Sequence, residues 1–449
     1  MIQGRIKLNT KWILVPTAII ALSAWLFFRD NAVSADGTTQ EKRTALGTTS
    51  EARKALADAL GPQLWNNHLP KQLTVADKGL VDVKYTLDRT MQEQSEKLLL
   101  RYKPDYGAIV MLDATTGKIL AMSSYVKGQP TAANLTLRAS FPAASIFKII
   151  TASTAVDRKG ADPKDMISYN GGNYTLYKKN VLSEKVNRWT RFISLKDAFA
   201  RSINTAFGRL TLETLDPQDL SEYSRRFMFN KYIPADFALE QSVAQIPEEK
   251  GFELTQAASG YNRFNTMSPV HGAMIAGAII NDGKILAPYL VEEVSKDQEI
   301  IYKGAEYDIG QAITKESAVK VREMMEQTVL KGTSRKTFRK LIADKKFRDV
   351  EMGGKTGHFS GLNPKGNNDW FVGYASDGDT KVAIAAITVN VQKWTVKSSA
   401  LAEMMFREHF RPGPTLKAKP EDFKSSGRLV RGSGRILAAH AKSGKTSRF

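Results

Sequence analysis

The chain has 449 residues, 42% hydrophobic and 25% charged, a globular composition that excludes a disordered or collagen-like protein. The absence of cysteine removes disulfide frameworks, thiolate zinc sites and cysteine nucleophiles. Five histidines (His68, His271, His358, His409 and His440) lie far apart without HExxH or paired spacing, so neither a metal nor a cofactor is expected. The formal charge of +19 is concentrated at the ends. From Arg411 to Phe449 ten Lys/Arg face only Glu421 and Asp422, and Arg5, Lys7 and Lys11 open the chain. The remaining 399 residues carry +8, so a nucleic-acid surface is not expected.

Residues 1–11 read as a short cytoplasmic N-terminus. Trp12 to Phe28 (WILVPTAIIALSAWLFF) is a run without charge, long enough for about 25 Å of helix, and predicts a membrane anchor. Basic residues before it place the following chain outside the cytoplasm. Val33-Ser34-Ala35 leaves a cleavable signal peptide as the alternative, although the apolar run is longer than such peptides use. Residues 29–80 are polar and read as a spacer, with a possible short helix from Glu51 to Leu60.

A strand is expected over Val81 to Leu87, a helix over Arg89 to Tyr102, and a hairpin from Ala108–Leu112 and Lys118–Ser123 around Thr115-Thr116-Gly117. A mainly polar, helix-and-loop stretch follows from Phe141 to Glu249. Met267 to Ile280 predicts a buried helix stopped by Asn281-Asp282-Gly283, and Glu316 to Leu330 an amphipathic one. Strands at Asp369–Tyr374 and Val382–Asn390 precede a closing helix, Ser398 to His409. Strands near both ends with helices between imply one sheet assembled late, in one mixed domain over 81–411. The Gly/Ser-rich basic segment 412–449 reads as a disordered tail, either a solubility tail or a contact for an anionic surface.

The chemistry lies in Phe141-Pro142-Ala143-Ala144-Ser145-Ile146-Phe147-Lys148. Ser145 opens a helix and Lys148 follows one turn later on the same face. Apolar neighbours would lower the lysine pKa, so that neutral Lys148 could take the serine proton. Ser-x-x-Lys alone is weak, and Ser317-Ala318-Val319-Lys320 fits it too, in a charge-rich helix that would keep its lysine protonated. Ser202-Ile203-Asn204 and Lys355-Thr356-Gly357 follow in order, completing the S-x-x-K, S-x-N, K-T-G signature of serine acyl transfer. Ser168-Tyr169-Asn170 and Lys442-Ser443-Gly444 are decoys by context. Ala439 to Thr446 fits a permissive phosphate loop, but no strand precedes it.

With these motifs the chain resembles the transpeptidase domain of penicillin-binding proteins over Val81 to Arg411. Thr86-Leu87-Asp88, Met267-Ser268-Pro269 and Asp369-Trp370-Phe371-Val372-Gly373-Tyr374 extend the likeness. The resemblance implies an α+β fold of the β-lactamase/transpeptidase type. Its parts would be a five-stranded antiparallel sheet flanked by helices and an all-helical subdomain, preceded by one transmembrane helix. It also implies site roles. Ser145 would be the acylated nucleophile, Lys148 its general base, and Ser202 a proton relay. Asn204 would hold the substrate amide and the lysine, and Lys355 would support Ser202. Thr356 would contact the terminal carboxylate. Gly357 and His358 would belong with Thr356 to the substrate-binding residues, with the His358 and Ser145 backbone N–H groups as the oxyanion hole. His358 departs from the family's Thr or Ser, which implies altered substrate preference or weaker β-lactam binding.

The implied partners are peptidoglycan stem peptides ending in D-Ala-D-Ala, β-lactams, the membrane through the N-terminal helix, and a separate glycosyltransferase. The implied function is a membrane-anchored serine D,D-transpeptidase. A D,D-carboxypeptidase is the nearest variant and a catalytically weak scaffold the non-enzymatic alternative. A β-lactamase would need a deacylating glutamate, which the sequence does not identify.

Overall fold

The computed structural model describes residues 50–129 and 132–410. The anchor at 12–28 and the tail at 412–449 lie outside them. Among the described residues no helix is long and apolar enough to cross a membrane.

Five antiparallel strands form the central sheet: β1 (Tyr106–Asp113), β2 (Ile119–Val126), β3 (Glu351–Leu362), β4 (Lys365–Ser376) and β5 (Lys381–Asn390), in the order β3-β4-β5-β1-β2. The N-terminal hairpin β1-β2 is thus joined edge to edge to the three C-terminal strands, with β5 pairing Ala385 to Val110 of β1. Seven helices matter for the site: α1 (Arg89–Tyr102), α2 (Lys148–Lys159), α3 (Asn204–Thr214), α4 (Phe252–Ser259), α5 (Pro269–Ile280), α6 (Lys315–Leu330) and α7 (Ser398–Phe410).

Each sheet face is covered for a reason visible in the residues. Helix α1 begins where Asp88 Oδ1 accepts from the Met91 N–H at 2.8 Å, and ends at Lys103 in the left-handed conformation. Its Met91, Leu98 and Leu99 join Leu401, Met405 and Phe406 of α7 over Ile109, Met111, Val382 and Ile384 of the sheet. The opposite face takes α5, whose twelve residues are all buried. Ser268 caps α5 by accepting from the His271 N–H, and Pro269 occupies its first turn. Each such fully buried aliphatic side chain contributes about 1.5–3 kcal/mol relative to exposure.

The described part of the stretch read as a spacer is folded, and the short helix expected over Glu51 to Leu60 is present. Residues 50–80 hold a helix, Ser50–Trp65, and a strand, Gln72–Val75, which pairs with Gly79–Tyr85. That second strand pairs in turn with Val291–Lys296, making a four-stranded sheet apart from the central one. The cause is the buried stripe Leu56, Leu60 and Leu64, at helical spacing inside a polar composition. Buried Arg53 fixes the helix further, donating to the carbonyls of Pro234 and Ala305 with its guanidinium over the Tyr289 and Tyr307 rings.

The helical subdomain is not entirely helical, because Met166–Tyr169 and Arg191–Ser194 form a two-stranded ribbon beside α3. In the central sheet, β3 is the strand that the sequence reading does not place. It is rich in glycine and has no alternating pattern, yet all twelve of its residues pair with β4, including Lys355 with Val372. Close approach explains the glycines: a Cβ built on Gly354 would stand 2.3 Å from the Phe371 ring.

Candidate active site

Ser145 lies in a short 3-10 turn, Ala144–Phe147, which runs directly into α2 at Lys148. The turn is held from three sides. Trp370 of β4, fully buried, donates from Nε1 to the Pro142 carbonyl at 2.9 Å. Gly357 of β3 faces Ile146 and Ala144 so closely that a Cβ there would come within 3.1 Å and 3.3 Å of them. Gly260, at φ +63, crosses the turn where a Cβ would stand 1.8 Å from the Ala144 carbonyl oxygen. Ala144 itself has φ 48, a conformation costing a side-chain-bearing residue on the order of 1 kcal/mol or more. Packing thus holds the turn that carries Ser145 in a shape its own sequence disfavours.

Lys148 is completely buried. Its Nζ lies 3.0 Å from Ser145 Oγ, 2.6 Å from Asn204 Oδ1 and 2.5 Å from the Ser259 carbonyl oxygen. A neutral amine has two N–H donors and one lone pair. Asn204 Oδ1 and the Ser259 carbonyl can only accept, so they take both donors and leave the lone pair for the Ser145 hydroxyl. Burial drives the lysine pKa well below its ordinary value, and the charge of Lys355 lowers it further. Burial therefore favours a neutral Lys148, and the contact set then leaves its lone pair for the Ser145 proton.

The second motif pair is equally close. Lys355, also fully buried, donates to Ser202 Oγ at 2.9 Å and to the Thr356 carbonyl at 2.9 Å. Burial pushes its pKa down to about 7. Ser202 takes φ 57 at the junction between the helix Leu195–Ala200 and α3. Asn204, the first residue of α3, is fixed from behind, donating from Nδ2 to the Tyr174 carbonyl at 2.8 Å.

Thr356 pairs with Thr333 through their hydroxyls at 2.6 Å, placing two hydroxyls beside the β3 edge. His358 is exposed on that edge and its ring packs against Trp394, with centroids 5.2 Å apart. Partial desolvation of the ring on that edge lowers its pKa from the ordinary histidine value. Of the eight residues expected at the site, the Ser145–Lys148–Asn204 and Ser202–Lys355 groups are joined by hydrogen bonds, and Thr356, Gly357 and His358 share β3.

Three contributors escaped the sequence reading. The Ser259 carbonyl acts through backbone, which no motif encodes. Gly260 gives only a helix-stop signal, and Thr333 lies in a Gly-Thr-Ser turn with ordinary composition. The decoys fall away: Lys320 pairs with Asp162 at 3.4 Å on the surface, and Ser168 lies within the Met166–Tyr169 strand.

A family model described as the penicillin binding protein transpeptidase domain matches residues 107–410. Among similar proteins, Stage V sporulation protein D of Bacillus subtilis is 25% identical over 299 residues, covering 62% of this chain and 44% of that protein. Peptidoglycan D,D-transpeptidase PbpA of Mycolicibacterium smegmatis is 25% identical over 330 residues, covering 63% of this chain and 62% of its own length. The match thus spans about half to three fifths of these relatives. Among solved structures, the D,D-transpeptidase domain of a peptidoglycan glycosyltransferase from Eggerthella lenta superposes with a TM-score of 0.60 at 25% identity, over 75% of this chain and 84% of that one. Penicillin-binding protein A from M. tuberculosis, as its imipenem acyl-enzyme, gives 0.60 at 22% identity, over 75% and 81% of the two chains, a likeness of fold. The chain belongs to the penicillin-binding protein transpeptidase domain family.

Proposed function

We propose that the chain is a serine D,D-transpeptidase that cross-links peptidoglycan stem peptides through a Ser145 acyl-enzyme and is inhibited by β-lactams. The observation that carries this reading is the Lys148 contact set, which leaves one lone pair and directs it at Ser145. Ser145 Oγ attacks the carbonyl of the penultimate D-Ala as Lys148 Nζ takes its proton. The Ser145 and His358 backbone N–H groups hold the oxyanion. As the peptide C–N bond breaks, a proton passes through Ser202, polarised by Lys355, to the amine of the departing D-Ala. The acyl ester then transfers to an acceptor amine, and Ser145 regains its proton. Thr356, with Thr333 beside it, receives the terminal carboxylate.

The apolar run 12–28 anchors the chain in the cytoplasmic membrane, with its N-terminus in the cytoplasm and the catalytic domain outside. The decisive assay follows D-Ala release from a stem pentapeptide by the full chain, with and without an added amine. Release coupled to a new amide product supports the transpeptidase. Release with water as the sole acceptor would make the enzyme a carboxypeptidase. No release from a folded, penicillin-reactive chain would contradict both.

A further inference from the structure

The segment from Tyr174 to Phe192, between the two strands of the ribbon, carries an arrangement that acyl transfer does not use. Its inward side is anchored. Leu176 and Val181 are buried, and Arg209 of α3 donates to the Val181 carbonyl at 3.3 Å. Asn170 donates to the Lys185 carbonyl at 3.1 Å and accepts from Thr190 Oγ1 at 2.8 Å.

On this fixed frame four rings point into solvent: Tyr174, Tyr177, Trp189 and Phe192 are 63%, 61%, 72% and 59% exposed. An exposed apolar patch interleaved with polar groups marks a binding surface. Five cations (Lys178, Lys179, Lys185, Arg188 and Arg191) face the single Glu184, and among the described residues no carboxylate forms an ion pair with them. Arg188 lies over the Trp189 ring at 4.7 Å, so the ring and the charge form one platform.

The segment also touches the acyl site. The Asn173 carbonyl accepts the Asn204 N–H at 2.7 Å, and the Tyr174 carbonyl accepts the Asn204 side chain. We propose that the 174–192 segment docks the glycan strand of uncross-linked peptidoglycan, its rings packing on pyranose faces and its cations meeting stem-peptide carboxylates. This rests on the peptidoglycan activity proposed above. Charge complementarity favours an anionic polymer, and position favours the glycan. A lipid surface lying this close to Asn204 would cover the approach to Ser145.

The test uses the full chain in detergent, comparing wild type with Tyr177→Ala/Trp189→Ala and with Lys178→Glu/Lys179→Glu. Because all four positions are exposed, penicillin acylation should stay within twofold and report an intact fold. Binding to isolated sacculi should fall at least tenfold. The KM for uncross-linked glycan strands should rise about tenfold with kcat kept, while turnover of a soluble D-Ala-D-Ala tripeptide stays unchanged. Sacculus binding equal to wild type in both variants overturns the proposal. So does sacculus binding that is kept while calorimetric binding of dihexanoyl-phosphatidylglycerol is lost, which assigns the patch to lipid. Variant-sensitive sacculus binding by a chain that turns over neither substrate supports the docking site and sinks the proposed activity alone.

Discussion

Ser145 Oγ stands 3.0 Å from the Nζ of Lys148, whose two other neighbours are both acceptors. The lysine can take a proton from Ser145 only while neutral, which its complete burial favours. Replacing Lys148 with Met should keep the apolar volume and remove the base, lowering the penicillin acylation rate about 10²–10⁴-fold. Stopped-flow acylation measures this, and a loss under tenfold would show that another group takes the proton.

Lys355 acts on Lys148 through charge as well as on Ser202 through contact. In Lys355→Gln the nearby positive charge is gone, so the Lys148 ammonium is less disfavoured and its pKa rises. The acid limb of the acylation pH profile, where rate grows as Lys148 loses its proton, should then shift to higher pH. An unshifted limb with a uniformly lower rate would mean that the two lysines do not communicate.

Gly260→Ala is expected to abolish acylation without touching substrate. The new methyl would fall 1.8 Å from the Ala144 carbonyl oxygen and displace the turn that carries Ser145. A shift of about 1 Å at a reacting atom costs on the order of 10²-fold. Circular dichroism reports whether the fold survives, and acylation by penicillin reports the site.

His358 offers an imidazole where a hydroxyl would grip the substrate carboxylate. His358→Thr should raise the second-order acylation rate by penicillin about tenfold, the worth of one hydrogen bond to a charged group, about 1.5 kcal/mol. Equal rates would indicate that the imidazole already performs that contact.

The motif residues were legible because chemistry fixes their type and order, and the helices α1, α5 and α6 because capping and periodicity mark them. Strand β3 was not, since its glycines answer to the rings of Phe371 and Tyr374, which only the fold brings near. The segment 50–80 was only partly legible for a related reason. Leu56, Leu60 and Leu64 form a proper stripe, but nothing local reveals the surface that receives it. Backbone partners such as the Ser259 carbonyl leave no trace in residue identity.

That segment carries a stability prediction. Asp236, fully buried, accepts the Leu290 and Val291 N–H groups at 2.8 Å each, and burial pushes its pKa up to about 6, with Arg53 opposing the rise. A carboxyl whose folded pKa lies above its unfolded value binds its proton more tightly when folded. Its contribution to stability therefore declines as pH rises from about 4 to 6. Arg53→Ala removes the opposing charge, raises that pKa further and extends the decline upward. Urea unfolding across pH checks both, and a pH-independent loss would exclude the electrostatic link.

The most direct measurement is the intact mass of the full chain after penicillin, beside Ser145→Ala. A single persistent adduct of one penicillin, absent from the variant, is the predicted result. An adduct on both proteins, or one lost within seconds, would contradict a Ser145 acyl-enzyme that waits for an amine.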